Sequence, residues 1–80
     1  MMKVQLVAYG IARELIGSRK LTFEFEGSTI AHLKEALTAQ YPPFASLRSL
    51  SFAIGEDYQP DGRTLNESDE VVIIPPVSGG

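Results

Sequence analysis

The sequence predicts an α+β fold, a mixed sheet of four to five strands with one main helix packed on one face. Three observations predict it. Apolar residues alternate with the two-residue period of a strand over residues 4–9, 21–25 and 50–54, and residues 70–74 carry the continuous apolar run of a buried strand. Between the second and third of these the period becomes helical, over residues 30–41. Gly-Ser, Gly-Ser-Thr, Pro-Pro and Pro-Asp-Gly clusters separate the runs, and the chain of 80 residues is short enough for one core only.

In the first run Val4, Leu6 and Ala8 share one face, with Gln5, Val7 and Tyr9 on the other. Both faces are mostly apolar, so this strand is expected inside the sheet. Gly10 interrupts it, and residues 11–16 are expected as a short helical turn closed by Gly17-Ser18. Leu21, Phe23 and Phe25 alternate with Thr22, Glu24 and Glu26, which predicts a half-solvated strand paired antiparallel with the first. Ser28-Thr29 supplies a helix N-cap, and Ile30, Leu33, Leu37 and Tyr41 form the apolar stripe of a helix of about three turns. Pro42-Pro43 stops that helix, because a residue preceding proline is pushed out of the helical region. Residues 44–50 show no clear period; Leu47 and Leu50 are expected to cap the core. A strand over residues 50–54, a turn at Gly55-Glu56-Asp57 and a very short strand at Tyr58-Gln59 follow. Residues 65–69 form a polar corner with one apolar plug, and the last strand runs over residues 70–74. A helix that joins two parallel neighbours must cross over the sheet. The order of elements fits the β-grasp, or ubiquitin-like, fold with the last strand central beside the first. Residues 1–74 are expected as the domain and residues 75–80 as an extended tail.

Composition narrows the function classes. A hydrophobic share of 44% is too high for a disordered chain. Without cysteine there is no disulfide and no thiolate nucleophile or ligand, and with His32 as the single histidine no metal site is expected. The same composition suits a reducing, cytoplasmic setting. No apolar run approaches the roughly 20 residues of a membrane helix, and residues 1–5 lack the pattern of a signal peptide. Net charge is −3, with five basic and four acidic side chains in residues 1–40 but two basic and six acidic in residues 41–80. The acidic second half disfavours nucleic acid and suits a protein partner with a basic docking surface.

The ending Val71-Val72-Ile73-Ile74-Pro75-Pro76-Val77-Ser78-Gly79-Gly80 is the part that points to chemistry. Pro75 and Pro76 have no backbone donor and a fixed φ, so sheet pairing must end at Ile74 and the chain runs on as a semi-rigid arm. Val77 and Ser78 lead to Gly79 and Gly80, which carry no side chains. Such a tail fits a narrow channel and leaves the terminal carbonyl open to attack on either face. The Gly80 carboxylate is therefore the expected functional group, unreactive until activated.

These residues resemble the MoaD/ThiS family of ubiquitin-like sulfur carriers, and most closely its molybdopterin branch. The resemblance covers the whole chain. It is densest in the ending from Asp69 to Gly80, in Arg13-Glu14-Leu15-Ile16-Gly17, and in the helix from Thr29 to Pro42. It implies that the chain has no catalysis of its own and holds no permanent cofactor. A ubiquitin-activating-like adenylyltransferase would use ATP to adenylate Gly80, and sulfur would then replace AMP to give a thiocarboxylate. The tail would deliver that sulfur to a pterin precursor on the large catalytic subunit of molybdopterin synthase, building a dithiolene within a heterotetramer. The family's docking face, carried over, falls on Tyr9, Tyr58 and Ile74, with Pro75, Pro76, Val77 and Ser78 leading to the reacting end. Arg13 is either a contact for the activating enzyme or tail, or half of a solvated pair with Glu14.

Other residues have plainer readings. His32 lies off the helix stripe with no visible partner for base chemistry and is expected as an exposed bystander. Glu56-Asp57 and Glu67, Asp69 and Glu70 are expected as turn and corner residues, with Asp69-Glu70 alternatively part of an acidic rim for the activating enzyme. Tyr9, Phe23, Phe25, Phe44 and Phe52 are core by default. Two competing functions remain: a carrier for thiamine, cysteine or tRNA thiolation or a protein modifier, and, from a different class, a non-catalytic β-grasp binding module.

Overall fold

Strand β1, Met2–Ala8, is flanked on both sides, and the rest of the sheet is laid out from it. The computed structural model describes residues 2–46 and 50–74. Helix α1 (Gly10–Ile16) turns the chain back into β2 (Lys20–Phe25), which pairs antiparallel with β1 in the register Val4↔Phe23 and Leu6↔Leu21. Helix α2 (Ile30–Gln40) and a 3₁₀ turn (Pro42–Ser46) cross to β3 (Ser51–Ile54); β4 (Asp57–Tyr58) and β5 (Glu70–Ile74) follow. The sheet order is β2-β1-β5-β3-β4, with β5 parallel to β1 and antiparallel to β3. The last strand is thus the central one, as its two-sided apolar sequence requires. Val71 and Ile73 are fully buried on the helix side, and Val72 and Ile74 are half-buried on the other.

One cluster of buried side chains lies between the sheet and α2. Ile30, Leu33 and Leu37 of α2 meet Leu6, Phe23, Phe25, Phe52, Val71 and Ile73 of the strands. Each fully buried aliphatic or aromatic side chain of this kind is worth about 1.5–3 kcal/mol relative to exposure. Leu65 is 1% exposed and is the plug expected in the polar corner.

The ends of both helices are set by single residues. Gly17 adopts φ 89° and donates its N–H to the carbonyl of Arg13, which ends α1 in the left-handed conformation that glycine tolerates best. Tyr41 stands at φ −125° and ψ 80°, out of the helical region before Pro42, and α2 stops there.

Several expectations are corrected. His32 is not a bystander: its Nδ1 accepts the backbone N–H groups of Ser28 (3.0 Å) and Thr29 (3.3 Å), while its own N–H donates to Thr29 Oγ1 (3.3 Å). It therefore fills the place that Glu or Gln takes in a capping box. Gly27, at φ 132°, leaves room for His32, since a Cβ there would overlap both the His32 Cβ and its ring. The featureless stretch after residue 43 starts as the 3₁₀ turn and places Phe44 in the core at 2% exposed. Leu50 is half-buried against the core, while Leu47 lies outside the described residues. The short strand is Asp57–Tyr58 rather than residues 58–59, because Ala53 and Ile54 pair with Tyr58 and Asp57.

A rim beside the end of the central strand

Register brings the expected docking residues to one face and one end of the sheet. Ala8 is level with Ile73, Ser51 is level with Ile74, and the Ala8 N–H donates to the Arg19 carbonyl at 2.8 Å. The strands β1 and β5 therefore leave the sheet at the same rim, where β2 and β3 enter it. Tyr9 is still extended, at φ −130° and ψ 159°. Strand alternation thus turns it away from Ala8 and the core, to the face of Val7. Ile74 shares that face with Val72 for the same reason.

The helix-free face carries one continuous row. Lys20, Val7, Val72, Ala53 and Tyr58 are in register across all five strands. Val7 and Ala53 are 3% and 4% exposed, Val72 is half-buried, and Tyr58, at the β4 edge, is 67% exposed. Tyr9 is 47% exposed, which corrects its assignment to the core. The Arg19 guanidinium lies over the Tyr9 ring, 5.6 Å from its centroid, so a cation is held against that aromatic surface. Tyr9, Tyr58 and Ile74 are thus on one face, with Tyr9 and Ile74 at the rim and Tyr58 about two strand spacings from β5, near 10 Å. The two exposed tyrosines, each an apolar ring with a polar tip, suit a protein contact, while Val7 and Ala53 between them are themselves buried.

Arg13 is exposed on α1, four residues beyond Tyr9, and lines a shallow open depression with Gly10, Ile11, Glu14 and Gly17. Among the described residues it forms no ion pair with Glu14. Pro75, Pro76, Val77, Ser78, Gly79 and Gly80 lie outside the described residues.

The acidic residues are placed elsewhere. Glu70 opens β5, at the end opposite Ile74. Asp69 accepts the Asn66 N–H at 2.8 Å and stands 3.9 Å from Arg63, whose guanidinium also donates to Gln59 Oε1 and the Thr64 carbonyl. Asp69 is thus a corner residue, and Asp69-Glu70 forms no rim beside Ile74. The N-terminus of α2 is equally occupied: Ile30 and Ala31 donate their N–H groups to the carbonyls of Arg63 and Asp61 at 3.0 and 2.9 Å. Among the described residues, no group of three or more His, Asp or Glu is placed to hold a metal ion. No helix among them is long and apolar enough to cross a membrane.

The sequence reading singled out neither Arg19 nor Lys20, which lie just before the strand expected at residues 21–25. Only the β1–β2 register places them beside Tyr9 and Val7.

The profile of the ThiS family matches residues 7–80, from the second half of β1 through the glycine pair. The chain belongs to the ThiS family. This ThiS-family chain is 34% identical to the molybdopterin synthase sulfur carrier subunit of Arabidopsis thaliana over 80 residues, covering 98% of this chain and 83% of the relative. It is 32% identical to the protein of the same name from Chlamydomonas reinhardtii over 83 residues, covering 99% of this chain and 100% of the relative. The ThiS-family fold also agrees with a solved structure, small archaeal modifier protein 1 from Methanosarcina acetivorans. There the TM-score is 0.77 at 24% identity, covering 100% of this chain and 98% of the other. That likeness concerns the β-grasp fold alone.

Proposed function

We propose that this ThiS-family chain is the sulfur carrier subunit of a molybdopterin synthase and that the carboxylate of Gly80 is the group it presents. The observation that carries the reading is the full-length similarity to relatives of that name. The position of β5 supports it. A central strand held on both sides anchors the root of residues 75–80 firmly, and reacting ends tolerate misplacement of about 1 Å poorly.

The chemistry has two stages. An adenylyltransferase partner joins the Gly80 carboxylate to AMP with loss of pyrophosphate from ATP, which turns a poor acyl group into a reactive one. A donor supplying sulfur at the oxidation level of sulfide then attacks the carbonyl carbon; the C–S bond forms and AMP leaves. On the large catalytic subunit the thiocarboxylate sulfur forms a C–S bond at a carbon of the pterin precursor that gives up a C–O bond. Water then cleaves the acyl C–S bond, which leaves the sulfur on the pterin and restores the Gly80 carboxylate. The carrier's own residues position rather than catalyse: Tyr9, Tyr58 and Ile74 dock, Pro75 and Pro76 stiffen the arm, and Val77, Ser78 and Gly79 thread the channel. ATP belongs to the activating partner, and no permanent cofactor is required of the carrier.

Intact mass spectrometry tests this. After incubation with ATP, the activating enzyme and a sulfur donor, the chain should gain the mass difference of one oxygen replaced by one sulfur. Rescue of a molybdenum-cofactor-deficient strain should follow. No mass gain with the activating enzyme of the same genome would sink the carrier reading.

A further inference from the structure

Unpaired charge in this chain is largely sorted by end, with Glu14 on α1 an acidic residue that shares the rim with three cations and leaves it net positive. Arg13, Arg19 and Lys20 lie at the rim where β5 finishes, and none of them is in an ion pair among the described residues. Glu24 pairs in register with Lys3, Glu70 with Gln5 and Asp57 with Ile54, and Glu67 accepts the Lys3 N–H at 3.5 Å; all lie toward the opposite end. Two cations at that end stand in ion pairs, and Lys3 is level with an acid but forms no ion pair among the described residues. Lys34 stands 3.5 Å from Asp61, Arg63 is 3.9 Å from Asp69, and Lys3 faces Glu24. β1 has seven residues, so the two ends are about 20 Å apart. That exceeds the screening length of about 8 Å at physiological salt, and a partner at one rim feels the charge of that rim rather than the net charge.

We propose that Arg13, Arg19 and Lys20 form a cationic collar beside Tyr9, and that it fits an acidic margin around the docking cleft of the large synthase subunit. The proposal rests on the carrier reading above. It reverses the partner charge suggested by the acidic second half of the sequence, because folding carries that acid to the far end. The collar is organised: Arg19 is held over Tyr9, and Lys20 begins the row that ends at Tyr58. With positive charge at one end and negative at the other, the carrier turns its collar, and the segment that follows Ile74, toward a negative surface during diffusion. Such steering raises association rates by about 10- to 1,000-fold.

Stopped-flow association of the full-length carrier with the large subunit, at low and high salt, tests the collar. The wild-type rate should fall steeply with salt. The Arg19→Glu/Lys20→Glu variant should associate at least about tenfold more slowly at low salt and lose most of its salt dependence. A Glu24→Lys/Glu26→Lys variant at the far end should stay within about twofold of wild type. The neutral Arg19→Gln/Lys20→Gln variant, whose thermal melt confirms folding, should fall between. If the charge-reversed or neutral collar variants bind as fast as wild type at low salt, the collar is overturned and the carrier reading stands. If the wild-type chain forms no complex with the large subunit at any salt, the carrier reading fails and takes the collar with it.

Discussion

His32 contributes through a single ring nitrogen. Its Nδ1 takes the two backbone donors, from Ser28 and Thr29, that open α2. Losing that acceptor exposes them to the ordinary cost of a lost cap, so His32→Ala should lower unfolding free energy by about 0.5–2 kcal/mol in urea titrations. His32→Gln should recover much of the loss, because a glutamine at the same position can reach back to the same donors. Gly27→Ala should cost more in the wild type than in the His32→Ala background, since that background relieves the overlap with the ring while the overlap with the Cβ of residue 32 stays. A double-mutant cycle should show a coupling of at least about 0.5 kcal/mol. The sequence indicated the cap through Ser28-Thr29 but not the histidine, because a capping box is usually announced by Glu or Gln. The cue was present in the spacing, with His32 three residues after Thr29.

At the scale of elements, β5 separates stability from recognition by its alternation. Ile73 faces the core and is 0% exposed, whereas Ile74 beside it is half-buried on the opposite face and ends the strand. Ile73→Ala should cost about 2–5 kcal/mol, which for a domain this small lowers the melting temperature by about ten degrees or more. Tyr58→Ala, at an exposed edge, should leave stability within about 0.5 kcal/mol yet weaken complex formation with the large subunit by about 1–2 kcal/mol in calorimetry. Ile74→Asp should do some of both. A Tyr58→Ala variant that melts early and binds normally would reverse this assignment of roles. The start of β5 at Glu70 was legible from the polar corner that precedes it. The bounds of β4 were not. Its two residues carry no period, and only pairing with Ala53 and Ile54 makes them a strand.

For the molecule as a whole, the globule and the segment after it should fail independently. Deleting Gly80, or adding one residue after it, should abolish thiocarboxylate formation and sulfur transfer while the melting temperature moves by no more than about two degrees. Paired thermal melts and intact-mass assays measure the two effects, and a shared loss of fold and activity would count against the separation. The long axis of the sheet carries a second division, between the Arg13, Arg19 and Lys20 rim and the acidic end around Glu24, Glu67 and Glu70. Salt dependence of association reads that division, and overall charge does not.

By itself the sequence determined what depends on neighbours along the chain. Its periods marked β1, β2, β3 and α2, its apolar run marked β5, Gly17 and Pro42 marked the ends of α1 and α2, and the residues from Asp69 to Gly80 pointed to the family and the chemistry expected of it. Tertiary structure decided what depends on residues far apart. The row from Lys20 through Val7, Val72 and Ala53 to Tyr58 draws one residue from each strand, so no local pattern shows it. The exposure of Tyr9, the imidazole beside Gly27 and the placing of Glu67, Asp69 and Glu70 away from the rim are of the same kind. Each follows from strand register and chain crossing, and those are fixed by the shared burial of the core rather than by any segment alone.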